Sequence, residues 1–384
     1  MKATLFALFV ALLMVGCGEQ NQSLGPDGEG EDKPSLPSLP SFNPNESEFE
    51  RTKRLAEGGD KIAQFNLGNS YYKGEGVPQD YKEAVRWYTK SAEQGDAIAQ
   101  YNLALMYDQG FVVPKDYKEA VKWYRKSAEQ GDADAQCNLG YMYDQGFGVP
   151  KDYKEAVKWY RKSAEQGFAL GQANLGRSYT AGTGVPKDIK KAIKWHSLAA
   201  NQGYAKSQYL LGVIFKDGED IPKDLSEAIK WYRLAAEQGD ADSQFSLGNI
   251  FQDGEDVPKD LSEAIKWYRL AAEQGDADSQ FSLGVIFRYE EGVQDYKEAV
   301  KWYSKAAEQG NSLSQSFLGG MYEYGEGVPA DSVQAWAWYN LAAAGGHEDS
   351  KKYKRRLKLT PEQLIEAQTL STEIYKRIEA NKED

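Results

Sequence analysis

From Asp60 to Gly346 the sequence repeats itself every 36 residues, eight times over. One unit, Asp132 to Gly167, reads DADAQCNLGYMYDQGFGVPKDYKEAVKWYRKSAEQG. The others begin at Asp60, Asp96, Phe168, Tyr204, Asp240, Asp276 and Asn311. A fixed period of this length means that each unit is one supersecondary element. Such an element cannot bury its apolar face alone and is completed by its neighbours. The 384 residues therefore form one array rather than the two or three domains that length alone suggests. The seventh unit is one residue short, because its EEGVQD loop lacks the proline found in most others.

Each unit reads as two helices. In the third, Ala135, Leu139 and Tyr143 recur at i, i+4 and i+8 and share one helical face. Gly140 lies beside them, where a bare backbone lets a partner helix approach. Gly146, Gly148 and Pro150 then break the helix and form a turn. Asp152 opens a second helix, with Glu155 three residues on, which predicts a reciprocal capping box. The same pair recurs at Asp80/Glu83, Asp116/Glu119, Asp224/Glu227, Asp260/Glu263 and Asp295/Glu298. Ala156, Trp159, Tyr160, Ser163 and Ala164 face the neighbours, and Gly167 ends the helix as a left-handed cap.

The motifs AxxQxxLGxxY, GxGVPxD and AxxWYxxAAxxG resemble the Sel1-like repeat, a relative of the tetratricopeptide hairpin. The resemblance covers about three quarters of the chain (residues 60–346). It implies an all-α fold, a right-handed α-solenoid of antiparallel helix pairs whose first helices line the concave side. Residues 46–59 look like a lone second helix, with Leu55, Ala56 and Glu57 matching the end of a unit. Residues 347–384 contain a further helix start at Thr360, Pro361 and Gln363. Leu364, Ala367, Leu370, Ile374 and Ile378 then make one apolar stripe. Both flanks are expected to cap the array, since terminal repeats need a polar outer face.

The N-terminus reads as an address. Lys2 precedes an apolar run from Ala3 to Val15, the length of a secretory signal and short of the roughly 20 residues of a spanning helix. Leu13 to Cys17 resembles the lipobox of bacterial lipoproteins, with Met14 where leucine is usual. That resemblance implies removal of residues 1–16 and lipidation of Cys17, which anchors the chain to a membrane. Gly18 after the cysteine favours the outer membrane, facing the periplasm or the cell surface. Residues 18–45 are rich in Gly, Pro, Ser and acids, and predict a disordered tether spanning about 30 Å.

Composition narrows the function. The chain carries 46 Lys and Arg against 58 Asp and Glu, a net charge of −12, which argues against nucleic acid as the partner. With Cys17 used in processing, Cys137 has no disulfide partner, and there are only two histidines, His196 and His347. No cofactor or metal set is apparent. Lys223–Gly248 duplicates Lys259–Gly284, and Pro114–Gly131 duplicates Pro150–Gly167, residue for residue. Catalysis needs one unique constellation held in place, and duplication lengthens a surface instead. The chain therefore reads as a scaffold and not an enzyme.

Candidate contacts lie on the first helices. Asn66, Asn102, Asn138 and Asn174 share one position, where amides can grip a peptide backbone or serve the repeat's own hydrogen bonds. The position two residues after the recurrent leucine varies most, and Tyr141 and Arg177 there are of hot-spot type. The eight recurrent tryptophans, His196 and Cys137 read as packing residues, and the GxGVP segments as turns. Lys351 to Lys358 is a basic run, expected to be a solvated helix face. The expected function is a membrane-anchored scaffold of the bacterial envelope that binds a protein or peptide on its concave face. A periplasmic immunity or inhibitor protein is the alternative. A β-lactam or peptidoglycan enzyme is disfavoured, because the cysteine-rich relatives linked to such chemistry carry paired cysteines in each repeat.

Overall fold

The computed structural model describes residues 46–111 and 114–383. The expected leader, Cys17 and the expected tether at 18–45 lie outside them. Among the described residues there are nineteen helices and no strands. A single helix, α1 (Glu48–Glu57), precedes eight antiparallel pairs. These are α2/α3 (Lys61–Lys73, Tyr81–Glu93), α4/α5 (Ala97–Gln109, Tyr117–Glu129), α6/α7 (Ala133–Gln145, Tyr153–Glu165) and α8/α9 (Ala169–Ala181, Ile189–Asn201). The array continues with α10/α11 (Ala205–Asp217, Leu225–Glu237), α12/α13 (Ala241–Asp253, Leu261–Glu273), α14/α15 (Ala277–Tyr289, Tyr296–Glu308) and α16/α17 (Ser312–Tyr324, Ser332–Ala344). Two closing helices follow, α18 (Glu348–Arg356) and α19 (Pro361–Glu383). We call the first helix of each pair A and the second B.

Seven of the eight pairs close around a buried tyrosine of helix B, and α8/α9 closes around His196. Tyr160 of α7 is 1% exposed and lies flat over Gly140 of α6. A Cβ at Gly140 would sit 2.7 Å from that ring, so only glycine admits the approach. The recurrent tryptophans complete the core: Trp87, Trp123, Trp159, Trp231, Trp267, Trp302 and Trp338 are buried, and Trp195 is partly so. Lysine ammonium groups lie over several of their outer faces, as Lys162 does 4.2 Å from the Trp159 centroid.

The helix starts depart from the expected capping box. Asp152 accepts from the N–H groups of Lys154 and Glu155, which is half of it. The returning half is missing, because the Asp152 N–H already donates to the Tyr143 carbonyl of helix A at 2.9 Å. The same bond recurs from Asp80 to Tyr71 and from Asp260 to Phe251. Glu155, relieved of that duty, pairs with Lys158 at 2.6 Å. Six of the eight A helices have side-chain caps of their own, as Asp132 accepts from Ala135 N–H at 2.7 Å, while those opened by Phe168 and Tyr204 have none.

A buried glutamine ladder stitches successive repeats together. Gln136 Nε2 donates to the Ala128 carbonyl of the preceding B helix at 3.0 Å. Gln166, ending helix B of the same repeat, donates to Gln136 Oε1 at 2.8 Å. The first seven pairs share both bonds, the short seventh through Gln309 and Gln280, and in the eighth Gln315 keeps only the bond to the Ala307 carbonyl because helix B ends on Gly345. That unit loses its residue in the loop, where α14 ends on Glu290 in extended backbone rather than on a left-handed glycine. At the start of the array Gln64 donates to the Ala56 carbonyl of α1, so α1 occupies the place of a B helix.

The far end is closed by α19, which buries Ala367, Ile374 and Ile378 against α17. Thr360 and Gln363 form the reciprocal cap at its start. Successive A helices approach one another, most closely in repeats 3 and 4, and no successive B helices come as near among the described residues. The A face is therefore the inner, concave wall.

Candidate partner-binding surface

The inner wall of repeats 3 and 4 brings several of the expected residues together. Arg177 of α8 reaches back to α6, where its guanidinium donates to Asp144 at 2.9 Å. The Asp144 side chain is 12% exposed and that of Arg177 is 52% exposed, so the acid is the buried anchor and the arginine the presented group. Such a pair holds the long side chain in one geometry before any partner arrives, which lowers the ordering cost of binding. Tyr141 stands exposed on the same face, edge-on to Phe147 at 6.1 Å.

The four asparagines do not form one open ladder. Asn66 is exposed on α2, but Asn102 is 5% exposed and its amide faces the Tyr88 hydroxyl. Asn138 is half-buried beside the hydroxyls of Tyr101 and Tyr124. Asn174 donates to Cys137 Sγ at 3.5 Å. Three of the four are thus engaged by the preceding repeat, Asn102 and Asn138 beside tyrosine hydroxyls and Asn174 at the Cys137 sulfur. In Tyr88 the hydroxyl goes on to Asn69 at 2.7 Å, and in Tyr268 to Asn249 at 2.6 Å.

Carboxylates line this wall more closely than their sequence positions suggest. Burial, then the neighbouring Asp132, pushes Asp134 up to about 6. Burial also raises Asp108 and Asp132. Cys137 is 1% exposed, and burial pushes its thiol up to about 12, so it is a packing residue without thiolate reactivity. His196 is fully buried over Gly176 with Nδ1 3.1 Å from Ser207 Oγ, while its Nε2 has no hydrogen-bond partner among the described residues. Burial lowers it to about 4.

Sequence reasoning missed the loop edge of this wall. There Phe147 stacks on Tyr117 at 4.7 Å and 9°, and Phe111 lies 5.7 Å from Tyr81. The basic run at the C-terminal end lies on a largely exposed helix face, where its charges form surface ion pairs. Lys351 pairs with Glu348, Lys352 with Asp349, and Arg356 with Glu323. Among the described residues there is no cluster of three or more metal-ligating side chains, and no helix long and apolar enough to cross a membrane.

The Sel1 repeat family model matches eight consecutive segments: 61–96, 97–132, 133–168, 169–204, 205–240, 241–276, 277–311 and 312–347. The chain belongs to the Sel1 repeat family. A crystal structure of a Sel1 repeat protein from Oxalobacter formigenes is 32% identical, covers 81% of this chain and 90% of its own, and has a TM-score of 0.63. A protective antigen of uropathogenic Escherichia coli strains is 35% identical over 85% of this chain and 86% of its own, with a TM-score of 0.40. A Sel1-like repeat-containing protein of Acanthamoeba polyphaga mimivirus is 44% identical over 43 residues. That match spans 11% of this chain and 7% of the viral protein. Sel1 repeat arrays are scaffolds suited to protein–protein interaction.

Proposed function

We propose that this Sel1 repeat chain is an envelope-anchored scaffold that binds a partner protein or peptide on the concave wall of repeats 3 and 4. The observation that carries the reading is Arg177, held by the buried Asp144 yet half exposed beside Tyr141. Arginine and tyrosine are the residue types that most often dominate interface energies. The role is non-enzymatic, and residue-for-residue duplication of whole stretches supports that part of the reading.

Anchoring is through lipid on Cys17, with residues 18–45 as the tether and the outer membrane as the site. This part rests on the lipobox-like run from Leu13 to Cys17. Two experiments test the proposal. A photo-crosslinking residue placed at position 141 or 177 in living cells should capture one reproducible protein, and an Arg177→Ala chain should not. Capture from position 234, exposed on a B helix, equal to that from 141 and 177 would remove the assignment of the face. Metabolic labelling with an alkyne fatty acid should mark the chain and fail on Cys17→Ser, and equal labelling of both would refute the anchor.

A further inference from the structure

Between repeats 4 and 5, where the concave wall meets the loop edge, lies a cavity of about 200 Å³. Its walls are apolar, formed by Ile189, Val213, Ile214 and Ile221 with Thr180 at one side. Its mouth carries Asp217, Glu219 and Asp220 against a single ammonium, Lys187. Lys187 pairs with Asp220 at 2.7 Å and reaches Glu219 at 3.8 Å. The mouth is therefore net acidic.

The repeat itself shows what fills this place elsewhere. Ile189 occupies the register of Tyr81 and Tyr117, and Glu219 that of Phe111 and Phe147. At those earlier junctions two rings meet, 5.7 Å apart for Tyr81 and Phe111 and stacked at 4.7 Å for Tyr117 and Phe147. A third ring joins each pair, Tyr72 at 5.3 Å from Tyr81 and Tyr141 at 6.1 Å from Phe147. At the junction of repeats 4 and 5 the corresponding positions of Tyr72 and Tyr141 hold Thr180 and Val213. All the rings are gone, and the space between the helices is open.

We propose that this cavity receives one aromatic side chain from a partner polypeptide, on a segment that also carries lysine or arginine. The volume is below the roughly 300–1,000 Å³ of a small-molecule or cofactor site and suits a single side chain. Ring burial against isoleucine supplies the attraction. Three carboxylates around the mouth select cationic flanks and disfavour acidic ones. The site is independent of Arg177, so an Arg177→Ala chain that has lost its concave partner still takes the aromatic residue.

The blocked tripeptide Lys-Trp-Lys is the probe, titrated into the full chain with labelled isoleucine methyl groups. The methyl signals of Ile189, Ile214 and Ile221 should shift saturably, with a Kd on the order of 1 mM, while those of Ile62 and Ile98 stay still. Glu-Trp-Glu should bind at least about tenfold more weakly, and Lys-Ala-Lys should leave the three signals unmoved. The double substitution Ile189→Tyr with Glu219→Phe rebuilds the filled junction of repeats 2 and 3 and should abolish the shifts at Ile214 and Ile221. Thr180→Tyr, copying Tyr72, does the same with a single change should the double variant fail to fold. Three results would each overturn the proposal: unmoved methyl signals at saturating probe, undiminished shifts in a folded filled variant, or equal binding of the acidic peptide.

Discussion

Repeats 3 and 4 hang on the same backbone frame and differ in the layer of side chains inside it. The ladder is intact in both, with Gln166 to Gln136 and Gln202 to Gln172 each at 2.8 Å. Repeat 3 fills its core with Tyr160 and a buried Trp159. Repeat 4 has His196 under the same glycine position, a partly exposed Trp195, and an unfilled junction with repeat 5. Backbone caps and glutamines hold the array in register whatever the core contains. One repeat can therefore give up packing, and repeat 4 presents Arg177 and borders the open junction.

The comparison is broken most severely through tryptophan. Trp159→Ala should cost about 3–5 kcal/mol, and Trp195→Ala clearly less, because its indole already meets solvent. Denaturation of the full chain, with amide exchange followed separately in α7 and α9, measures both. Equal losses would mean that the two cores are equally tight.

The next effect is acid sensitivity. His196 is held near 4 when folded against an ordinary value of 6.5. Between those values the unfolded chain takes up a proton that the folded chain refuses. Its contribution is complete above pH 6.5, is lost as the pH falls, and levels off below about 4. The loss is about 3 kcal/mol at most by linkage. His196→Tyr, which copies repeat 3, should flatten this part of the pH profile. A profile unchanged by the substitution would show that His196 does not titrate with folding.

Repeat 3 carries the opposite dependence. Asp134 is held near 6 when folded against 3.8, so its contribution is present at low pH and fades as the pH rises through that window. Asp134→Asn should therefore steepen the acid loss that His196 causes. Arg177→Ala leaves the buried Asp144 carboxylate unpaired and should cost about 1 kcal/mol, while crosslinked partner should fall at least about tenfold. The smallest effect is Lys158→Ala, which removes an exposed pair with Glu155 and should change stability by less than about 0.5 kcal/mol.

The fold was legible because its signals are local and repeated. Leu139, Gly140, the turn glycines and Asp152 each announce a helix face, a close approach, a break and a start. Only half of the capping box forms, since Asp152 N–H is satisfied by Tyr143, a residue outside the motif. In the sequence the four asparagines make a uniform row. Burial of Asn102, and the facing of Asn138 toward Tyr101 and Tyr124, depend on tyrosines contributed by other helices. Variability among the repeats points to Tyr141 and Arg177, while the Asp144 anchor that holds Arg177 carries no sequence signal of its own.

By itself, then, the 36-residue period determined the helix pairs, their number and their stacking. Those follow from spacing along one chain, where each apolar face has only its neighbour to pack against. The tertiary structure alone decided which polar groups remain available. Asp144 meets Arg177 across 33 residues, and the rings at the loop edge meet or fail to meet across 30, as at Tyr117 and Phe147 or Ile189 and Glu219. Such pairings depend on how adjacent repeats lie side by side, which no single repeat encodes.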